Sequence, residues 1–176
     1  GTNEVPVVSG ATTGAATDAS ATFTVDLLSG ATDVDATDTL TVTNLTPSGD
    51  TTGITVNTDN TLSVDPSAYA HLNINQKLDI VYTYDITDNS GDGVSQTATV
   101  TIIGTNDVPA ISGNVIGLVT EDTDVNDGNK LNVSGTLSIT DTDTTNLILT
   151  GSTGQNKIIA VGDIPITIKG GDGNDI

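Results

Sequence analysis

The residues of this chain that could do chemistry are nearly all oxygen donors, gathered in short loops. Asp33-Val34-Asp35 is followed at once by Asp38, and Asp88-Asn89-Ser90-Gly91-Asp92-Gly93 forms a second group. Asn106-Asp107, with Asn3-Glu4 as its earlier counterpart, forms a third, and Asp141-Thr142-Asp143 a fourth. Hard cations such as Ca2+ take roughly six to eight oxygens from carboxylates, amide carbonyls and backbone. Short Asp side chains on tight turns supply them without ordering a long side chain. In an extended loop alternate residues point the same way, so Asp33 and Asp35 can clamp one ion or two neighbouring ions. In the second group, oxygen donors at every second position followed by Gly resemble the opening half of a calcium loop, but no Glu closes it. Of the 23 acidic residues, 21 are Asp and only Glu4 and Glu121 are Glu. Any one loop alone is equally a solvated turn. The metal reading depends on whether the loops meet.

Other chemistry is poorly provided for. His71 is the sole imidazole and reads as a boundary residue packing at the end of a domain. No Ser has a His and acid partner by motif, and no glycine loop cradles phosphate, so the chain is not expected to be an enzyme. The absence of Cys excludes disulfides, zinc–thiolate sites and thiol catalysis. Four Lys, no Arg and a formal charge of −19 exclude the basic face that nucleic acid requires. No apolar run approaches the ~20 residues of a membrane helix.

The elements that must position these loops follow from an internal repeat. Residues 1–10, GTNEVPVVSG, and 104–113, GTNDVPAISG, agree at seven of ten positions with a spacing of 103. Thr32-Asp33-Val34-Asp35 and Thr140-Asp141-Thr142-Asp143 follow in the same order at a spacing of 108. The expected organisation is one unit over residues 1–105 and a second, truncated or divergent unit over 106–176. A chain opening inside its own repeated motif reads as a piece of a longer array.

Within the first unit the apolar period is two. Phe23/Val25, Leu40/Val42, Ile54/Val56, Leu62/Val64, Ile80/Tyr82/Tyr84/Ile86 and Ala98/Val100/Ile102 each mark one face of a strand. An opening strand near Val5–Ser9 brings the total to about seven, with one helical turn in Pro66–Leu72. Seven short strands in ~100 residues predict an all-β, immunoglobulin-like Greek-key sandwich. In that topology the loop after the second strand, the loop before the last, and the incoming linker share one end, so Asp33, Asp35, Asp88 and Asn3/Glu4 would meet. Two carboxylates 4 Å apart repel by about 4 kcal/mol at an effective dielectric of 20. Such a cluster is strained without a cation.

In the second unit Val115–Val119, Leu131–Ile139, Leu147–Thr150, Ile158–Val161 and Ile164–Ile168 read as strands, with no match to the Tyr82/Tyr84 strand or to the closing strand. A partial sandwich of the same type would leave an open sheet edge. Two weaker cation signals lie there. Glu121, Asp122, Asp124 and Asp127 form one acidic run, with its Gly out of phase for a helix–loop–helix calcium loop. Asp172 and Asp175, in Gly170-Gly171-Asp172-Gly173-Asn174-Asp175-Ile176, match one copy of a parallel β-roll nonapeptide that needs consecutive turns.

The Gly104–Pro109 linker, the 33–35 loop, the Asn60–Tyr69 run and the 88–93 loop ahead of Gln96–Ile102 together resemble VCBS-type, bacterial cadherin-like repeats of large secreted RTX-type adhesins. The resemblance implies a cadherin-like sandwich, Ca2+ at the junctions between repeats, and an extracellular, cell-surface or biofilm role. It places ligands at Asn106 and Asp107, at Asp141 and Asp143, and at Asp88, with Asp65 as the nearest carboxylate after the fifth strand. Neighbouring repeats of the same array are the implied partners. The leading expectation is a calcium-stiffened extender segment. The alternative is a subunit of an extracellular filament, a homopolymer completed by strand addition at the open edge. A sugar- or peptide-binding module ranks last, because only Tyr69 lies outside the sheet pattern.

Overall fold

The computed structural model describes residues 2–113, 137–143, 147–150 and 166–169, and divides the chain into two compact units, Gly1–Asn106 and Asp107–Ile176. The expected strands at Val115–Val119 and Ile158–Val161, and the candidates Glu121, Asp122, Asp124, Asp127, Asp172 and Asp175, lie outside the described residues.

The first unit is an all-β sandwich of two main sheets. Its strands are β1 (Val7–Val8), β2 (Thr12–Thr17), β3 (Phe23–Asp26), β4 (Ala31–Thr32), β5 (Thr41–Ser48), β6 (Ile54–Val56), β7 (Thr61–Val64), β8 (Lys77–Thr87) and β9 (Gly93–Ile103). One sheet has the order β2-β9-β8-β5 and the other β3-β7-β6, while β1 and β4 form a separate short pair. Nine strands are thus present where seven were expected, and the two main sheets hold seven of them.

The apolar alternation builds the core. Ile80, Tyr82, Tyr84 and Ile86 of β8 and Ala98, Val100 and Ile102 of β9 are buried in one cluster with Val25, Leu62 and Val64 of the facing sheet. Their intervening neighbours are largely Thr, Asp and Ser, so each strand separates an apolar face from a wet one. Leu27 closes the cluster, and the buried hydroxyl of Tyr84 donates to its carbonyl at 2.9 Å.

Four expectations are corrected. Thr12–Thr17 is a strand, running parallel to β9 from Thr12↔Ala98 to Thr17↔Ile103. Its Thr, Gly and Ala residues carry no apolar alternation, because the facing strand presses too close for bulk. A Cβ on Gly14 would lie 2.6 Å from Val25 Cγ2. Val56 does not point into the core but is 56% exposed on the edge strand β6. Tyr69, the one aromatic expected outside the sheets, is fully buried, and its hydroxyl donates to the Asp50 carbonyl at 3.0 Å. Burial, then the Asp50 charge and Tyr82, push that phenol up to about 12. His71 is exposed rather than packed, one residue before the buried Leu72.

In the second unit β10 (Ala110–Gly113) pairs antiparallel with β11 (Leu137–Thr140), and β12 (Leu147–Thr150) pairs in parallel with β13 (Ile166–Lys169). The β10–β11 register repeats that of β1–β4. Val7↔Thr32 and Val8↔Ala31 become Ala110↔Thr140 and Ile111↔Ile139. The pairing thus preserves both sequence spacings of the internal repeat.

Candidate metal centre

At one end of the first unit the three expected segments do meet. The Asp33–Asp38 loop follows β4, the Asp88–Asp92 turn joins β8 to β9, and residues 3 and 4 arrive ahead of β1. Asp88 shapes its own turn. Its Oδ1 accepts from the backbone N–H of Ser90 at 2.8 Å and of Asp92 at 2.9 Å, while its N–H donates to the Asp92 carbonyl at 3.0 Å. Asp33 does the same for its loop, with Oδ1 accepting from Asp35 N–H at 2.9 Å. These local bonds leave the second oxygen of each carboxylate turned elsewhere.

The incoming segment stitches the two loops. The Asn3 amide nitrogen donates to Oδ2 of both Asp88, at 2.8 Å, and Asp92, at 2.9 Å. The Glu4 backbone N–H donates to Asp35 Oδ2 at 3.0 Å. Asn89 joins the loops directly, its side chain accepting from the Thr39 hydroxyl and donating to the Thr37 carbonyl. Sequence reasoning misses these roles of Thr37, Thr39 and Asn89, although the donor spacing of residues 33–39 carries part of the signal.

Carboxylate oxygens of Asp33, Asp35 and Asp38 lie within 4.8 Å of one another. Oδ2 of Asp33 and Oδ2 of Asp38 are both shut off from water and receive no hydrogen bond. Burying an anionic oxygen without a partner is costly. Among the described residues no basic side chain relieves it, and the first unit's one lysine, Lys77, pairs with Asp79 at 2.8 Å. Desolvation, followed by the negative charges of Asp88, Asp33 and Asp35, holds the Asp38 carboxyl above its ordinary range. Asp88 is held below it, chiefly by the Asn3 amide, against desolvation and with help from the backbone N–H groups of its turn. The arrangement offers several convergent anionic oxygens, the donor set a hard divalent cation takes.

The second unit carries the matching half-cradle. Asp143 is 6% exposed, and its Oδ2 accepts from the Asp107 backbone N–H at 2.8 Å, as Asp35 does from Glu4. Asp141 Oδ1 accepts from Asp143 N–H at 3.2 Å, as Asp33 does from Asp35. Oδ1 of Asp143 is buried and receives no hydrogen bond.

Asp65 is placed apart from both groups. It caps the 3-10 turn Pro66–Tyr69, its Oδ1 accepting from Ser67 N–H at 3.1 Å and from the Ser67 hydroxyl at 2.7 Å.

Comparison of the whole chain with curated proteins gives no match. A family profile described as a cadherin-like domain matches residues 2–103, which is the sandwich of the first unit and the greater part of the chain. With its sheet order and its acidic loops gathered at one end, the chain belongs to the cadherin-like domain family.

Proposed function

We propose that this chain is a calcium-binding extender segment of a secreted bacterial surface adhesin. In this reading Ca2+ at the acidic ends of successive repeats stiffens the array and holds a distal binding module away from the cell. Asn3, Glu4, Asp33, Asp35, Asp38, Asp88 and Asp92 form one ligand group, and Asn106, Asp107, Asp141 and Asp143 form its successor. The observation that carries the reading is the pair of buried, hydrogen-bond-free oxygens on Asp33 and Asp38 inside a group of three carboxylates. Asp143, the repeat mate of Asp35, supplies an independent third such oxygen in the second unit. Rotation of the Asn3 amide would present its carbonyl, where its NH2 now bridges Asp88 and Asp92.

The cadherin-like family supports an adhesion-type repeat. Strand addition through the first unit is disfavoured at two of its edge strands, β5 and β6. Edge strand β5 is broken by a bulge with Asn44 at φ 56° and carries Pro47, and edge strand β6 has only three residues.

Calcium titration by calorimetry tests the reading, with Asp33→Asn and Asp107→Asn beside the parent. Each variant is expected to lose binding sites, and chelation is expected to lower the melting temperature and loosen the solution scattering profile. Binding unchanged in both variants, or a melting curve indifferent to EDTA, would refute it.

A further inference from the structure

The opposite end of the first unit treats its carboxylate differently. Asp18, in the turn between β2 and β3, is 4% exposed. Its Oδ1 accepts from the Thr105 backbone N–H at 3.0 Å and from the Thr105 hydroxyl at 2.6 Å, and its Oδ2 accepts from the same N–H at 3.1 Å. Its own N–H donates to the Ile103 carbonyl at 3.1 Å. Gly104 is gripped from the other side, accepting from Asn75 N–H at 2.9 Å and donating to the Gln76 carbonyl at 2.8 Å. A Cβ on Gly104 would lie 2.6 Å from the Leu72 carbonyl oxygen and closer still to that of Asn73. Only glycine fits there.

The repeated Gly-Thr-Asn-acid motif therefore has two halves with different attachments. Gly104 and Thr105 are bound by the unit whose last strand they leave. The acid of the second half is held by other carboxylates: the Asp107 N–H donates to Asp143 Oδ2, and in the first copy Asn3 and Glu4 donate to Asp88, Asp92 and Asp35. We propose that Asp18 is a positioning residue that clamps Thr105, beside the gripped Gly104, to the sandwich without any cation, so that this half of the linker stays ordered whether or not calcium is present. All the contacts involved join hydrogen-bonding groups that a chelator does not touch. The clamp rests on the first unit's own bonds and not on the calcium reading.

Amide hydrogen exchange on the full chain, in calcium and in EDTA, tests this. The Thr105 amide is expected to keep its protection within about twofold on chelation, because the bond it makes does not involve the ion. Asp18→Ala is expected to speed its exchange at least about tenfold in both conditions, with the core amides of Tyr82 and Val100 changing far less. Should Asp18→Ala fail to fold, Thr105→Val removes the hydroxyl alone and Thr105→Ser restores it. After correction for intrinsic rates, the valine variant is expected to exchange several-fold faster at residue 105 and the serine variant to match the parent. Loss of Thr105 protection in EDTA, or equal rates in the valine, serine and parent chains, would overturn the clamp. Neither result would alter calcium binding in the calorimeter, so the two proposals fail separately.

Discussion

At one end of the first unit Asp33, Asp35 and Asp38 crowd within 4.8 Å and two of their oxygens accept nothing. At the other end Asp18 accepts three contacts from Thr105, and Asp65 accepts two from Ser67. All five residues are Asp in turns. Their surroundings differ in the number of donors per carboxylate. Where each acid meets its own N–H and O–H groups, the protein satisfies it and the acid becomes a fastener. Where several acids share too few donors, part of the charge is left unanswered by the first unit itself. An acidic cluster and an acidic turn therefore cannot be told apart by composition.

The contrast can be broken most directly at its strongest point. Asp18→Ala strands the part-buried Thr105 amide and is expected to cost about 2 kcal/mol of unfolding free energy. Chemical denaturation should give the same loss in calcium and in EDTA, since no ion is involved. A loss seen only with calcium would move Asp18 into the metal-dependent class. Asp65→Ala removes a helix-type cap and is expected to cost about 1 kcal/mol. That loss should likewise be indifferent to calcium in a thermal melt, and calcium dependence would join Asp65 to the ligands.

The smallest effect is a pH difference at Asp38. Its carboxyl is held above the ordinary range by desolvation and by Asp88, Asp33 and Asp35, so the folded state binds this proton more readily than the unfolded one. The stabilisation is complete below the ordinary carboxylate value near about 4 and is lost as pH rises through the folded value. In EDTA at neutral pH, Asp38→Asn is therefore expected to be more stable than the parent, and the gap to narrow on acidification. Denaturation curves across that interval would show it. A gap that widened as pH fell would mean that Asp38 is not crowded by its neighbours.

Much of the site is legible in the sequence itself. Strand count and topology bring Asp33, Asp35 and Asp88 to one end, and the hydrogen bonds through Asn3 and Glu4 hold them there. The strand Thr12–Thr17 is not legible, because it lies against Val25 and Phe23 with small residues that carry no periodic signal. Asp18 is hidden for a related reason. Its partner is 87 residues away, and nothing in Thr17-Asp18-Ala19-Ser20 distinguishes it from a solvated turn. Asn60 is a further case, a left-handed turn residue whose side chain accepts from Val42 N–H at 3.0 Å and so ties the two sheets together.

Local pattern alone determined that this chain makes strands, where its core faces lie, that its linker motif repeats, and that its chemistry is that of oxygen donors. Those properties follow from side-chain period and residue type, which neighbours along the chain decide. Which carboxylates are satisfied and which are left wanting was decided only by the tertiary structure. That choice depends on donors brought from distant strands, at hydrogen-bond distances that no spacing along the sequence encodes.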